Sequence, residues 1–513
     1  MTIGPMERRM RVNTPISADV IVVGGGPSGS VAARLLASWG YDVLLLTKPW
    51  DVTRALANSL PPSTRKLLTQ TGVLDIVEQV GFRTLGNTVW WGNDERVEQF
   101  TAGPGYQVDR ARLDPLLLDA ATKSGVRVLP DARVLRVDRD DVTGQMHVSC
   151  VAPIDPVTCC APMVLDASGR AGVVAVGERL RQQVRGGRMQ ALLGVWKQAG
   201  GWSVANPTHT LIETCDVGWA WSIPTTAETR HVGIMVDGPT SRLHKHALVE
   251  DSYRSLLARL PHLAEQLTQA HVARVAACDA SVYTATHHAG RGFVLVGDAG
   301  CTLNPLSSFG IKKALASAWF AAVVAHTCLQ HPERTDAAAA FFSRWTSELW
   351  NMNLLRSRDF AREALERHQS VFWATQASAP VDEAVLPNDD RALLEQTDVR
   401  DAFERMRQAD TIVFARGSKA TLVSAPLVRG HEIVDEPAVV LGPDARDVMR
   451  YLQGVDLVAL AGLAPNCVGV PEVIERYTRT HTGVTPPHIL GALAVLVARG
   501  VLQADEHAHT TRR

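Results

Sequence analysis

No two of the eight cysteines in this chain are spaced as Cys-x-x-Cys, and only Cys159 and Cys160 are neighbours. That excludes a zinc ribbon or a disulfide framework and reads as reduced thiols in a cytoplasm. No apolar run reaches the ~20 residues that span a membrane. The nearest, LASAWFAAVVAHTCL from Leu315 to Leu329, is too short. The opening MTIGPMERRMRVNTPIS lacks the apolar core of a secretory signal. Charge of one sign is also missing, with 52 Lys and Arg against 53 Asp and Glu. A broad nucleic-acid or membrane-surface footprint needs an imbalance that this chain does not have. There is no internal repeat and no low-complexity segment. What remains, at 46% hydrophobic and 20% charged, is an ordinary globular composition. The length of 513 residues fits two or three domains. The expectation is a cytoplasmic protein without a structural metal, a membrane partner or a nucleic-acid partner.

The most specific text present is ADVIVVGGGPSGSVAARLLASWGYDVLLLTKP, Ala18 to Pro49. An apolar strand runs into Gly24-x-Gly26-x-x-Gly29, a helix-periodic stretch follows, and a second apolar strand ends at Thr47. Strand–turn–helix–strand is the context in which such glycines bind a dinucleotide. Gly24 allows the tight turn, Gly26 lets the backbone approach a pyrophosphate, and Gly29 packs helix on strand. Pro27 and Ser28 open the helix, whose first amides and dipole favour phosphate. One thing is again missing. The second strand usually ends in an acidic residue for the ribose, and here it ends in Thr47. Thr47 can bond a hydroxyl without charge, while Lys48 and Arg54 are either phosphate or ribose ligands or solvated surface charge.

Two later segments narrow the cofactor. MVLDASGRAG (163–172) is a strand ending in Asp166-x-x-Gly169. RGFVLVGDAGCTLNPLSSFGIKKALASA (291–318) is a strand, then Gly297-Asp298, a Pro- and Ser-bearing loop, and a helix starting near Gly310. Together, in this order, the three segments resemble the para-hydroxybenzoate-hydroxylase type of FAD enzyme. The resemblance implies that Asp298 binds the ribityl hydroxyls. It also implies that Pro305, Gly310 and Ile311 border the isoalloxazine. GYQVDRARLDPLLLDAATKSGVRVL (105–129) matches the same family, with Arg110 either approaching the flavin or pairing with Asp114. Only one dinucleotide fingerprint is present. NAD(P)H is therefore expected to reduce the flavin transiently, or through a partner flavin reductase.

VGWAWSIP (217–224) resembles a fingerprint of flavin-dependent tryptophan halogenases. On a strand Trp219 and Trp221 share one face, where they line a tunnel or fill a sheet core. Halogenases also carry a lysine in a Phe-Lys context after a Gly-Glu-Ser-Leu-x-Pro segment. Here Asn58 replaces the glutamate, Arg83 stands where the lysine aligns, and Lys66 lies on an exposed helix. Arginine is a poor nucleophile. SLPPSTRKLL, GN-x-x-WWG, NPLSSFGIKKAL and the late Phe372-Trp373 are instead similar to flavoproteins that mature quinone cofactors. These hydroxylate a tryptophan inside another polypeptide. The resemblance implies an FAD-dependent monooxygenase that uses O2 and acts through the flavin C4a-hydroperoxide. Its chamber would be formed by Ser307, Ser308 and Phe309 at the flavin edge, with Arg83, Trp90 and Trp91 opposite. His287-His288 is either an acid–base pair or a surface loop. The alternatives are a halogenase with an unrecognised lysine, a small-molecule aromatic hydroxylase, a prenyl-chain reductase and a non-catalytic peptide escort.

The expected architecture is α/β. A Rossmann-like FAD-binding domain takes residues 18–85, 105–185 and 280–375, with helices from 311 to about 375. An antiparallel substrate sheet takes 86–104 and 186–279, where apolar and polar residues alternate. A helical linker (376–425) leads to a small α+β winged-helix-like domain (426–505), with DARDVMRYLQG read as its first helix. That last unit has no basic cluster on Ile489 to Arg499. It is therefore expected to dock a peptide or small protein substrate rather than DNA.

Overall fold

The computed structural model describes residues 15–49, 57–153, 155–184, 186–238, 249–408, 412–443 and 447–505. The chain divides into two compact units, 1–385 and 386–513. Arg54 lies outside the described residues.

The first unit is built on a six-stranded sheet. Its strand order is Ala289–Gly290, Phe293–Leu295, Met163–Asp166, Val20–Val23, Val43–Leu46, Arg127–Leu129. All neighbours are parallel except the first pair. Val20–Val23 is VIVV and buried along its whole length, as a central parallel strand covered on both faces must be. The chain runs outward from this strand to Val43 and Arg127, then returns to its other side at Met163. The strand order reverses there, and the crevice at the carboxyl ends is where open α/β sheets bind ligands. Ile21, Val23, Leu44 and Leu46 pack against Val148, Cys150, Cys159 and Ala161 of a second, four-stranded sheet. The helix Pro27–Ser38 lies on the other face, against the helices Arg110–Lys123 and Gly310–Gln330.

A seven-stranded sheet forms the other half of this unit. Its order is His271–Asp279, Met189–Lys197, Thr229–Asp237, Gly218–Thr226, Thr210–Cys215, Gly86–Trp91, Asp94–Gln99. Side chains alternate between its faces. Leu192, Ala220, Val232 and Ile234 pack under the helices Val249–Leu257 and Pro261–Gln266. On the opposite face Met189, Ala191, Trp219 and Met235 join Trp91, Phe372 and Trp373. The helix Thr335–His368 is tied to this sheet by polar contacts. The Trp91 indole donates to Phe360 O (2.9 Å), and Arg367 donates to Gly92 O (2.5 Å). No helix among the described residues is long and apolar enough to cross a membrane.

In the second unit the strand Val413–Arg416 pairs with Leu502–Asp505. The hairpin Leu422–Arg429/Glu432–Val440 carries a third strand, Val448–Met449. Three helices follow, Leu457–Leu463, Gly469–Thr480 and Pro486–Ala498, around Phe414, Leu460, Tyr477 and Leu493. Two local expectations give way. Of 376–425, only the part up to Gln408 is helical, and strands occupy 413–416 and 422–425. The end of DARDVMRYLQG is not a helix but the first strand of a tight hairpin, Tyr451–Leu452 with Val455–Asp456. Gln453 and Gly454, at φ 47° and 83°, make the turn. Two successive positive φ values suit a hairpin turn and stop a helix.

Candidate active site

A cavity of about 450 Å³ lies between the carboxyl ends of the parallel strands and the seven-stranded sheet. Its floor starts at the glycine turn. Gly24 sits at φ +111°, and a Cβ there would lie 2.4 Å from Ala167 O, so no other residue fits. Gly29 and Gly24 shape the turn, while Gly26, Pro27 and Ser28 line the cavity. The helix they open has no acidic residue in its first turn and no side-chain cap. Its first amides are left for an anion.

The rest of the floor comes from three loops. Asp166 does not reach the cavity. Its carboxylate is fully buried and accepts from Ser168 N (3.1 Å) and Val174 N (2.7 Å). Burial pushes its pKa up. Its role is to fold the loop that presents Gly169, which lines the cavity at φ +66° with open space above it. Asp166→Asn is expected to cost about 1–3 kcal/mol, since the amide nitrogen faces a backbone donor. The variant should still bind FAD stoichiometrically; melting temperature and flavin content check both. Gly297 likewise stays behind the wall, with a Cβ position 2.9 Å from Ser28 Oγ, and so sets up Asp298, which does line the cavity. Asn304 caps the turn Pro305–Ser307. Ser308 follows at φ 53°, a left-handed backbone uncommon for serine. Pro305, Ser308, Gly310 and Ile311 face the cavity.

Five charged side chains line the cavity among the described residues, and they form or enter three ion pairs. Arg110 donates through Nε and Nη2 to Asp114, each at 2.5 Å, and also lines the cavity. Arg170 binds Asp279 at 2.6 Å, and Lys313 binds Asp298 at 2.6 Å. The roof is apolar and aromatic: Leu193, Ile212, Trp219, Trp221, Ile223 and Met235. Trp219 and Trp221 share a face as the alternation requires. Trp221 lies over its cross-strand partner Gly233, where a Cβ would come within 2.5 Å of the indole.

Several expected residues stand elsewhere. Arg83 is exposed on the strand Phe82–Thr84, beside Glu78, and does not line the cavity. Trp90 faces away, stacked on His262 at 4.4 Å and 3° in a separate depression. Trp91 points to the opposite face and is spent on the helix Thr335–His368. Phe309 does not line the cavity but lies under the Lys312 ammonium, 4.9 Å away. Ser307 ends the turn Pro305–Ser307, and its side chain lies outside the described residues. Thr47 reaches the glycine turn, its Oγ1 2.9 Å from where a Gly25 Cβ would sit, and Lys48 is exposed. His288 is buried away from the cavity, its Nε2 3.1 Å from Thr284 Oγ1, and burial lowers its pKa to about 4. His287 is exposed.

The sequence reading missed Lys313, Arg170 and Asp279. A charged residue one turn into the apolar run GIKKALASAWFAAVV was the available signal for Lys313.

The floor fits FAD. Gly26 and Gly169 leave cradles that a Cβ would fill, and the helix amides face them. Asn58 lines the cavity with its Oδ1 buried and unpartnered. A buried acceptor without a donor in the protein suits a hydroxyl- and amide-rich ligand.

Comparison with known proteins agrees. A tryptophan 2-halogenase of Chondromyces crocatus is 28% identical over 410 residues, covering 76% of this chain and 76% of its own. The crystal structure of CmlS, a flavin-dependent halogenase, superposes with a TM-score of 0.76 at 22% identity, over 96% of each chain. The peptidyl tryptophan dihydroxylase QhpG, essential for tryptophylquinone cofactor biogenesis, gives a TM-score of 0.66 at 22% identity, over 94% of this chain and 99% of its own. At such identities the two structures speak for the mixed α/β fold alone. Residues 17–323, which carry the glycine turn, Asp298 and the start of the Gly310 helix, match the FAD binding domain family, and the chain belongs to it.

Proposed function

We propose that this protein is an FAD-dependent oxidoreductase that substitutes an electron-rich aromatic ring, with an indole of a polypeptide as the leading substrate. The observation that carries this is the roof. Two tryptophans and four aliphatic side chains face the floor, and every charged group lining the cavity is held in an ion pair. Such a surface favours a flat, uncharged ring over an acid or an amine.

Bound FAD supplies the redox chemistry that turns O2, with electrons from NAD(P)H directly or through a flavin reductase, into an electrophile. The chain's own residues do the rest. Gly26, Ser28 and Gly169 hold the cofactor at the floor. The amides at Gly310 and Ile311 open a helix whose dipole favours negative charge. The tryptophan roof excludes water and aims the ring. Ring substitution releases a proton. His231 lines an adjoining cavity of about 450 Å³ beyond Trp221. Burial lowers its pKa, so the imidazole is a weak base there.

Oxygen transfer is the first reading, because it needs no protein amine. The lysine that lines the cavity, Lys313, is a paired ammonium with a raised pKa and no free lone pair. Halogen transfer is the second reading, favoured by the curated relatives, which are named as halogenases. A polypeptide substrate docked through the second unit belongs to the first reading; that unit's helix Pro486–Ala498 is too buried to enter a DNA groove.

One experiment separates the readings. The protein is incubated with FAD, a flavin reductase, NADH and air, with and without bromide, and with candidate polypeptides and free indoles. A gain of ~16 or ~32 Da on a tryptophan is expected, while ~78 Da that appears only with bromide would establish halogenation. Oxidation of free indoles alone would remove the polypeptide from the proposal.

A further inference from the structure

Lys313 is an ammonium in the wrong kind of helix. It stands in the first turns of Gly310–Gln330, between Ile311 and Leu315, and its side chain is 2% exposed. A charge buried that deeply persists only where partners compensate it. Two do. Nζ lies 2.6 Å from Asp298 Oδ1 and also donates to Cys301 O. One ammonium therefore grips the Gly-Asp loop at two points and fixes it to the helix. Tyr283 adds a third tie, its hydroxyl donating to Asp298 O at 2.7 Å.

The pair is asymmetric. Asp298 keeps 45% of its side chain exposed, because it faces the cavity, while Lys313 stands behind it. The neighbouring cations are committed elsewhere, Arg110 to Asp114 and Arg170 to Asp279. Asp298 thus has one dedicated counterion.

We infer that Lys313 is a positioning residue for the cofactor, holding the Asp298 carboxylate in place to accept hydrogen bonds from the hydroxyl groups of bound FAD. This rests on family membership and on the cavity, and holds whichever electrophile the enzyme transfers.

The charges around Asp298 give the inference a pH signature. Lys313, Arg170 and Arg110 hold its carboxyl below the ordinary range against burial. The Tyr283 hydroxyl and the Cys301 thiol also face it and are neutral, as burial raises both. His288, which feels the Lys313 charge, is neutral too. Without Lys313, burial is less opposed and the carboxyl takes up its proton at higher pH. A protonated acid accepts hydroxyl hydrogen bonds less well.

The test is FAD titration of apo-protein by flavin fluorescence from pH 5 to 8. It uses the wild type, Lys313→Met, Lys313→Arg, Asp298→Asn and the Asp298→Asn/Lys313→Met double variant. Wild-type affinity is expected to be flat. Lys313→Met should bind more weakly at the acid end and recover as pH rises, the loss reaching about tenfold where the pH lies one unit below the variant's raised carboxyl pKa. Lys313→Arg should restore a flat profile. Asp298→Asn should be weak and flat, and the double variant should match it. Wild-type affinity in Lys313→Met overturns the inference, as does a pH-independent loss that arginine does not rescue. If Lys313→Met fails to fold, the double variant, which lacks both charges, decides. A further tenfold loss relative to Asp298→Asn would mean that Lys313 touches the cofactor itself.

Discussion

Asp298→Ala is expected to purify colourless. The carboxylate lines the cavity, and alanine would remove the hydrogen bonds proposed between it and the cofactor. Hydrogen bonds to a charged group contribute about 1.5–3 kcal/mol, which is roughly ten- to a hundredfold in affinity. The second cost falls on the protein. Lys313 would be left buried, with Cys301 O as its remaining partner. Breaking a buried ion pair from one side costs about 3–5 kcal/mol. The apo-protein should therefore melt earlier as well as bind FAD weakly. The absorbance ratio of flavin to protein after gel filtration measures the first effect, and a thermal melt of apo-protein measures the second. A fully yellow variant with an unchanged melt would remove Asp298 from the site. Asp166→Asn is the control. It lies at the end of the neighbouring strand, is fully buried, and should stay yellow, because its carboxylate is spent on backbone amides.

That contrast shows what could be read from the sequence. The glycine turn was legible because its constraint is local. Gly29 is required by its contact with Gly24 O and Gly24 by its positive φ, both inside one strand–turn–helix unit, and Ala167 of the neighbouring strand's loop adds a tertiary contact. The parallel strands were legible as unbroken apolar runs. Asp166 was misassigned because a carboxylate at a strand end can serve a ligand or its own loop, and only the fold shows which. Trp90 and Trp91 were placed together across the chamber, yet adjacent residues on a strand face opposite ways. Neither faces the cavity, since one is stacked on His262 and the other is held by the long helix. Lys313 was hidden for a different reason. Helical periodicity assigns a lysine to solvent, and its partner Asp298 comes from a loop 15 positions away. Tertiary ion pairs of this kind leave no periodic trace. In the second unit a hairpin turn at Gln453–Gly454, with two successive positive φ values, stands where the sequence suggested the end of a helix.

Floor and roof are separable, and Gly233→Ala is the variant that should separate them. In a strand interior, alanine for glycine would ordinarily be neutral or helpful by about 0.5–1 kcal/mol. Here the added Cβ would lie 2.5 Å from the Trp221 ring, which rests on this residue across the strand pair. The sheet around Gly233 is hydrogen-bonded on both sides, to the strands of Leu193 and Trp221. The indole is partly exposed to the cavity, so it moves before the backbone does. Overpacking of this size costs about 1–3 kcal/mol. Trp221 also lines both the cofactor cavity and the adjoining one that His231 lines. Its displacement changes the space for the ring in both. Gly233→Ala should therefore fold, keep its flavin colour and change its near-ultraviolet tryptophan dichroism. It should lose turnover of the ring substrate by about tenfold or more, as small misplacements of a reacting group cost that much. Trp221→Ala in the same background should restore the stability, because the clash has then lost its second partner, and should not restore turnover. Loss of colour in Gly233→Ala would instead mean that the roof and the cofactor floor are one mechanical unit.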